Sequence, residues 1–170
     1  YNNGNQNMNT NLSANNWLPL NQPFNAAPWN YGGTESVVSF PPNVVDWVLM
    51  DVLDVNGNLM VRKAALLQNN GIVLNPDGTI GVLFTSGLSI GNSYRLLVRH
   101  RNHVAVVGSN TVVLPNTNSP YNFTFPANVE GGTKQLADVG NGNYALRAAD
   151  TNANGVVNYQ DYNQFIFQNG

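Results

Sequence analysis

VVDWVLMDVL at Val44–Leu53, followed beyond Asp54-Val55-Asn56-Gly57-Asn58 by LMVRKAALL at 59–67, settles the fold class of this chain. Both runs are rich in the β-branched, long aliphatic and aromatic side chains that fit a pleated, half-buried surface. The Asn56-Gly57 pair between them is a tight-turn signal, so the two runs predict a β-hairpin. The same pattern recurs at 71–74, 80–84, 94–100, 103–107, 111–114 and 121–125. Asn70-Gly71, Asp77-Gly78, Gly91-Asn92, Gly108-Ser109 and Pro115-Asn116 separate these runs. Many short strands, close turns and one late helix over 162–167 predict an all-β protein, an antiparallel β-sandwich of the immunoglobulin-like or transthyretin-like kind.

The sandwich is expected over 44–136, between two segments of different character. Residues 1–16 (YNNGNQNMNTNLSANN) form an asparagine-rich tail with almost no apolar content. Such a segment cannot offset its ordering entropy alone. It is therefore either a disordered arm or an arm ordered by a partner, for example by adding a strand to a neighbouring subunit's sheet. Residues 17–43 carry Trp17, Phe24, Trp29, Tyr31 and Phe40 among many prolines. Prolines at this density exclude a helix or a central strand. The segment is expected to wrap over the domain and insert its aromatics as anchors. An exposed aromatic platform for sugars is the alternative.

At 170 residues the chain is long enough for one domain with a substantial core. Charged residues make up 9 %, against ~25 % in ordinary domains, and asparagine fills much of the difference. A net charge of −2 without a basic block leaves no electrostatic footprint for nucleic acid. No apolar run approaches the ~20 residues that span a bilayer, so no membrane insertion is expected. Cysteine is absent, which removes disulfide and thiol chemistry. Tyr1 in place of Met is the start expected of a secreted product trimmed of its signal peptide, or of a trimmed chain.

The remaining segment, 137–170, contains the one chemical motif. In DTNANGVVNYQD (150–161), oxygen-bearing side chains fall at loop positions 1, 3, 5, 9 and 12, and glycine falls at position 6. That is the spacing of an EF-hand-type calcium loop, which wraps hard oxygen donors around one ion. Asp150, Asn152, Asn154, the Val156 carbonyl, Asn158 and Asp161 are the candidate ligands. Gly155 would allow the sharp turn, and Val157 would pack beneath the loop. The bland alternative is an Asn/Gly-rich turn that binds nothing. Only Asp150 and Asp161 bring charge, so calcium would fill the loop only where it is near millimolar, outside the cell.

Other chemistry is sparse. Arg99-His100-Arg101-Asn102-His103 is the densest ionic cluster. On one continuous strand, Arg99, Arg101 and His103 would share a face, with His100 and Asn102 opposite. The spacing fits no zinc pattern, so the arginines are expected to pair with Asp46, Asp51 or Asp54. No nucleophile elbow, phosphate loop or zinc-protease motif occurs, and nothing singles out a pair of glycosidase carboxylates among the nine Asp and Glu. The protein is accordingly expected to be non-enzymatic.

The series PLNQPFNAAPWNYGGTESV (19–37), VVDWVLMDVLD (44–54), VRKAALLQNNGIV (61–73), YRLLVRHRNHVAVV (94–107) and YNFTF (121–125) resembles a module of secreted proteins from Bacteroidetes and related bacteria. The resemblance implies an extracellular surface domain of unassigned role, one that usually stands near the C-terminus of larger proteins. Residues 150–161 are also similar to one half of a type I dockerin, with loops of the form DxNxDGxxNxxD. On that pattern Asp150, Asn152, Asn154, the Val156 carbonyl and Asp161 carry over as ligands, with Asn158 acting through water. A dockerin has two such loops, whereas Asp138 to Asn143 lacks the ligand series.

These readings converge on a secreted structural protein stabilised by Ca2+, polymerising with its own copies through the N-terminal tail. The competing expectation is an extracellular adhesion or docking module for glycans or a surface protein, using Trp17, Trp29, Tyr31 or the calcium-ordered loop.

Overall fold

The computed structural model describes residues 1–2, 4–115 and 119–169. Asn116, half of the expected Pro115-Asn116 turn, lies outside the described residues, as do Asn3 in the tail and Gly170 at the end. β1 (Val44–Leu53) and β2 (Leu59–Gln68) form the expected antiparallel hairpin, with Val48 opposite Ala65 and Asp51 opposite Arg62. Its turn depends on Gly57 at φ +88°, and on the Asp54 carboxylate accepting the N–H groups of Asn56 and Asn58 at 2.8 Å each. β3 (Val73–Leu74), β4 (Ser93–His100), β5 (His103–Val107) and β6 (Val112–Val113) complete a six-stranded sheet ordered β3-β2-β1-β4-β5, with β6 paired to the start of β4. A separate antiparallel ribbon joins β7 (Leu136–Gly140) to β8 (Asn143–Leu146). The short α1 (Asn11–Ala14) and the terminal α2 (Tyr159–Asn169) are the α-helices among the described residues. The architecture is all-β and antiparallel.

β1 is buried along nearly its whole length because apolar layers cover both faces of the sheet. On one face Trp47, Leu49, Ala64 and Leu66 pack against Leu18, Phe24 and Val37 of the proline-rich segment, with Trp29, Tyr31 and Phe40 at the rim. The aromatics of 17–43 thus act as anchors: Phe24 meets Trp29 edge-on at 5.4 Å, and Trp47 donates its indole N–H to the Pro19 carbonyl at 2.9 Å. Gln22 clamps the wrap, donating to the Gly33 carbonyl at 2.8 Å and accepting the Phe24 N–H at 2.6 Å. On the other face Val48, Met50, Ala65, Val98 and Val106 pack against Val129 and Leu136, with Tyr144 and Leu146 of the ribbon beside them.

The N-terminal tail lies on its own chain. The Met8 N–H donates to the Asn69 carbonyl at 2.8 Å, the Ser13 hydroxyl to the Val44 carbonyl, and the Trp17 N–H to the Leu12 carbonyl at 2.9 Å.

Several expected strands are shorter or missing, and polar side chains explain why. The 71–74 run is reduced to Val73–Leu74 because the Asn70 side chain takes the Ile72 N–H at 3.0 Å while Gly71 closes a turn onto Gln68. The 80–84 run keeps a single bridge, Ile80 to Leu74, since the Asn75 side chain takes the Leu83 N–H at 3.0 Å. The 121–125 run is a turn instead: Asn122 accepts the Thr124 N–H at 2.8 Å, and the Tyr121 hydroxyl donates to the Asn128 carbonyl at 2.6 Å. In each case a local side-chain bond displaces a ladder bond. Conversely, Asp138 to Asn143, which lacks the ligand series of a second calcium loop, contains the turn of the β7-β8 ribbon.

Candidate functional site

The loop at 150–161 is positioned by the sheet. The Val104 N–H donates to the Arg147 carbonyl and the Ala149 N–H to the Asn102 carbonyl, both at 2.8 Å. His103 also bridges Ala148. The entry to the loop is therefore an added stretch of strand on β5, and Asp150 follows it directly. Ala149 takes φ +80° and Ala153 φ +55°, left-handed values that cost an L-residue ~1–2 kcal/mol. Gly155 takes φ +85° at the sharp bend, where only glycine is unstrained.

The loop's polar atoms converge by hydrogen bonding. Asp150 accepts the N–H of Asn154 on Oδ1 and that of Gly155 on Oδ2, both at 3.0 Å. Asp161 accepts the Thr151 N–H on Oδ1 and the Asn158 N–H on Oδ2, both at 2.9 Å. Asn152 Oδ1 accepts the Asn154 N–H at 3.0 Å, and Asn154 Oδ1 accepts the Val156 N–H at 2.8 Å. Asn158 caps α2 by taking the Gln160 N–H at 2.8 Å, and Asp161 answers on the Asn158 N–H, a reciprocal capping box. The N–H groups of Asn158, Asn152 and Thr151 hold the Asp161 carboxyl below the usual carboxylate range.

Asp150 and Asp161 are both fully buried, at 1 % and 2 % exposure. Asp150 has spent two of its roughly four lone-pair positions on backbone donors. Asp161 takes three donors on Oδ1 and one on Oδ2, so the positions open to a cation are on Asp150 and on Asp161 Oδ2. Among the described residues no group of three or more His, Cys, Asp or Glu surrounds a common point. An ion in this loop would rely on the amide oxygens of Asn152 and Asn154 and on backbone carbonyls. Val157 does not pack beneath the loop; it is exposed, as is Val156, because the described residues place no apolar neighbour over them.

The ionic cluster of β4 and β5 is arranged differently from a continuous strand. Arg101-Asn102 forms the hairpin turn, so His100 pairs across it with His103 and their rings meet edge-to-face at 4.5 Å. The Asn102 N–H donates to His100 Nδ1 at 3.2 Å, which puts the His100 proton on Nε2, facing Asp46 Oδ2 at 3.1 Å. His103 Nδ1 then donates to His100 Nδ1 at 2.9 Å. Burial above all, and second the electrostatic influence of the adjacent His100, push the His103 pKa down to about 4. Arg101 binds both oxygens of Asp46 through Nη2, at 2.7 and 2.9 Å. Burial raises the Asp46 carboxyl, but His100 and Arg101 outweigh it and leave it below the usual range.

Asp51 lies on the opposite face, clasped by Arg62 at 2.6 and 2.7 Å and by Arg99 at 2.9 Å. The arginines thus take Asp46 and Asp51, as expected, while Asp54 serves its own turn. Every nitrogen that could coordinate a metal between the two histidines and Asp46 is engaged except His103 Nε2.

One feature escapes sequence reasoning. A groove of about 430 Å³ runs between the wrapping segment, the β4-β5 turn and the C-terminal loop. Its lining includes Trp29, Arg101, Asn102, Thr151, Asn152 and Gln164. The only signal available beforehand was Trp29 as a possible sugar platform, because the three walls are far apart in the chain.

Comparison with protein families, with curated proteins and with solved structures gives no match. The resemblance to the bacterial surface module and to a dockerin half therefore rests on the sequence signatures alone. Among the described residues no helix is long and apolar enough to cross a membrane.

Proposed function

We propose that this chain is an extracellular, non-enzymatic structural subunit, clamped by one calcium ion in the 150–161 loop, that assembles with its own copies into a filament or surface layer. The observation that carries this reading is the orientation of α2. Asp161 is buried and Asn163 and Gln164 are half-buried, whereas Tyr159, Tyr162, Phe165 and Ile166 are exposed at 72, 59, 57 and 48 %. A helix on a self-sufficient domain turns its apolar stripe inward. This one turns it to solvent, next to the exposed Val156 and Val157, and such a patch marks an interaction surface. A second copy is the favoured occupant, because a net charge of −2 with 9 % charged residues gives little like-charge repulsion between copies.

The N-terminal segment supplies the other half of the contact. Its bonds to Asn69 and Val44 within one chain are bonds it can equally make on a neighbour, by exchange of the arm. Repeated head to tail, that contact builds an open polymer. In this reading the β7-β8 ribbon is the second layer of a sandwich, packed on the β1-β4 face. Calcium is proposed because the buried Asp150 and Asp161 have no cationic side chain against them among the described residues, and two carboxylates suit a calcium-rich extracellular setting.

Electron microscopy of the purified protein with calcium tests the assembly. Polymers are expected from the wild type, and dispersed folded monomers from Tyr162→Glu/Phe165→Glu and from a chain lacking residues 1–16. Normal polymers from both variants would sink the proposal.

A further inference from the structure

We infer that the groove between Trp29, Arg101 and Gln164 is a binding site for a neutral oligosaccharide. This goes beyond the assembly reading and does not depend on it.

The argument starts from the shape and origin of the groove. Its volume, about 430 Å³, falls in the ~300–1,000 Å³ range of small-ligand sites. Its three walls are set independently of any ligand. The cis Ala27-Pro28 turn carries Trp29, which leans edge-on against the fully buried Phe24. The β4-β5 turn carries Arg101 and Asn102, and the clasp of Arg101 on the buried Asp46 holds that turn in place. The third wall combines Thr151 and Asn152 at the start of the loop with Gln164 on α2. A site assembled on a sheet hairpin and an anchored aromatic is preorganised, which keeps the ordering cost of binding low.

The chemistry of the lining selects the ligand class. Asn102 and Gln164 each carry a carbonyl acceptor and two amide donors. Asn152, whose Oδ1 takes the Asn154 N–H, adds its amide donors, and Thr151, whose O–H is donated to Asp161, adds an acceptor oxygen. Such groups match vicinal hydroxyls, which both donate and accept. Arg101 commits Nη2 to Asp46, and its Nε, without a partner among the described residues, is buried and so does not face the groove. Trp29 supplies the large apolar surface that a pyranose C–H face needs.

Charge decides between neutral and acidic sugars. Arg101 is the one charged residue of the lining, and Asp46 neutralises it at 2.7 Å. A uronate or phosphate would meet no net positive charge and would face the Asp46 carboxylate behind the guanidinium. A hydroxyl-rich neutral ligand meets no such penalty.

The test is titration of the 170-residue chain, followed by calorimetry and by tryptophan fluorescence. The probes are cellohexaose, laminarihexaose, xylohexaose and mannohexaose, with hexagalacturonate as the acidic comparator. At least one neutral probe should bind with a dissociation constant on the order of 10–1,000 μM and perturb the fluorescence. Trp29→Ala, Gln164→Ala and Asn102→Ala should each weaken it about tenfold or more. Trp17→Ala, which alters an exposed tryptophan outside the groove, should leave it unchanged. Gln164→Ala and Asn102→Ala remove exposed or half-exposed polar groups, so they report on the groove even if Trp29→Ala unfolds the wrap. Failure of all four neutral probes, binding of hexagalacturonate alone, or binding lost with Trp17→Ala but kept with Gln164→Ala and Asn102→Ala would overturn the inference. Polymer formation by the same groove variants, seen by electron microscopy, keeps this outcome separate from that of the assembly proposal.

Discussion

Asp46 and Asp51 in β1 are buried as deeply as Asp150 and Asp161 in the C-terminal loop, yet the two pairs are compensated in opposite ways. The β1 aspartates meet cationic side chains: Arg101 for one, beside the His100 Nε2–H, and Arg62 and Arg99 for the other. The loop aspartates meet uncharged donors instead, backbone N–H groups and the Thr151 hydroxyl. A buried carboxylate is tolerable when it is both hydrogen-bonded and paired with opposite charge. By that standard the sheet pairs are complete, whereas the loop carboxylates are hydrogen-bonded without a cationic side chain among the described residues. Apolar surface shows the same contrast. β1 is covered on both faces, whereas α2 exposes its aromatic side. The sheet is a self-sufficient core, and the C-terminal segment is the part that the proposed ion and the proposed neighbour would complete.

The sharpest way to break this comparison is to remove a partner from the complete side. Asp51→Ala leaves Arg62 and Arg99 facing each other without their shared counter-charge. Breaking a buried pair costs ~3–5 kcal/mol, and the lower end applies because Arg62 and Arg99 reach water at 19 and 30 %. A loss of about 3 kcal/mol should lower the melting temperature by ~6–12 °C in a domain of this size. A drop as small as that of a surface substitution would show that the sheet does not rely on its ion pairs.

On the incomplete side, calcium should stabilise the wild type. At a calcium concentration 100 times the dissociation constant the gain is ~2.7 kcal/mol. Chelation should remove it, and Asp150→Ala should abolish the response to calcium. Identical melting curves with excess chelator and with millimolar calcium would mean that the loop is closed by its N–H bonds alone.

Acid should separate the two regions further. His103 is neutral in the fold, with its pKa lowered from 6.5 to about 4. Between those values the unfolded chain binds the extra proton, so stability is complete above pH 6.5, falls as the pH drops and levels off below about 4. The shift corresponds to ~2–3 kcal/mol once partial exposure is allowed for. Asp46, held low, adds its own loss only as the pH falls below the ordinary carboxylate range. His103→Asn should flatten the upper part of the profile in chelator as well as in calcium. An unchanged slope would place the acid sensitivity elsewhere.

How much of this was legible in the sequence follows from the range of the interactions. The β1-β2 hairpin rests on a local turn and on residue types that suit a strand, and both are written in consecutive residues. The anchoring role of Phe24 and Trp29, and the pairing of Arg99 and Arg101 with β1 aspartates, were also readable from residue type. Strands at 80–84 and 121–125 were not, because Asn75 and Asn122 use their side chains against the ladder. The face of His103 was missed because Arg101-Asn102, without glycine or proline, carries no tight-turn signal. The inverted orientation of α2 was invisible too: its stripe of aromatics reads as a core face until the structure shows which side the sheet covers.

The smallest effect probes the loop's own strain. Ala153 holds φ +55° inside a loop whose Gly155 already provides the one sharp bend. Glycine adopts that angle freely, so Ala153→Gly relieves ~1–2 kcal/mol of strain against the ~0.5–1 kcal/mol of chain entropy that glycine loses on folding. A net gain of roughly 0.5 kcal/mol is expected. If calcium selects the strained loop conformation, the gain should be the same in chelator and in calcium, because the angle is already set in the ion-free chain. A gain seen only in chelator would mean instead that the ion offsets the strain. The ion-free loop would then be a looser structure than its hydrogen bonds imply, and the contrast with the sheet deeper still.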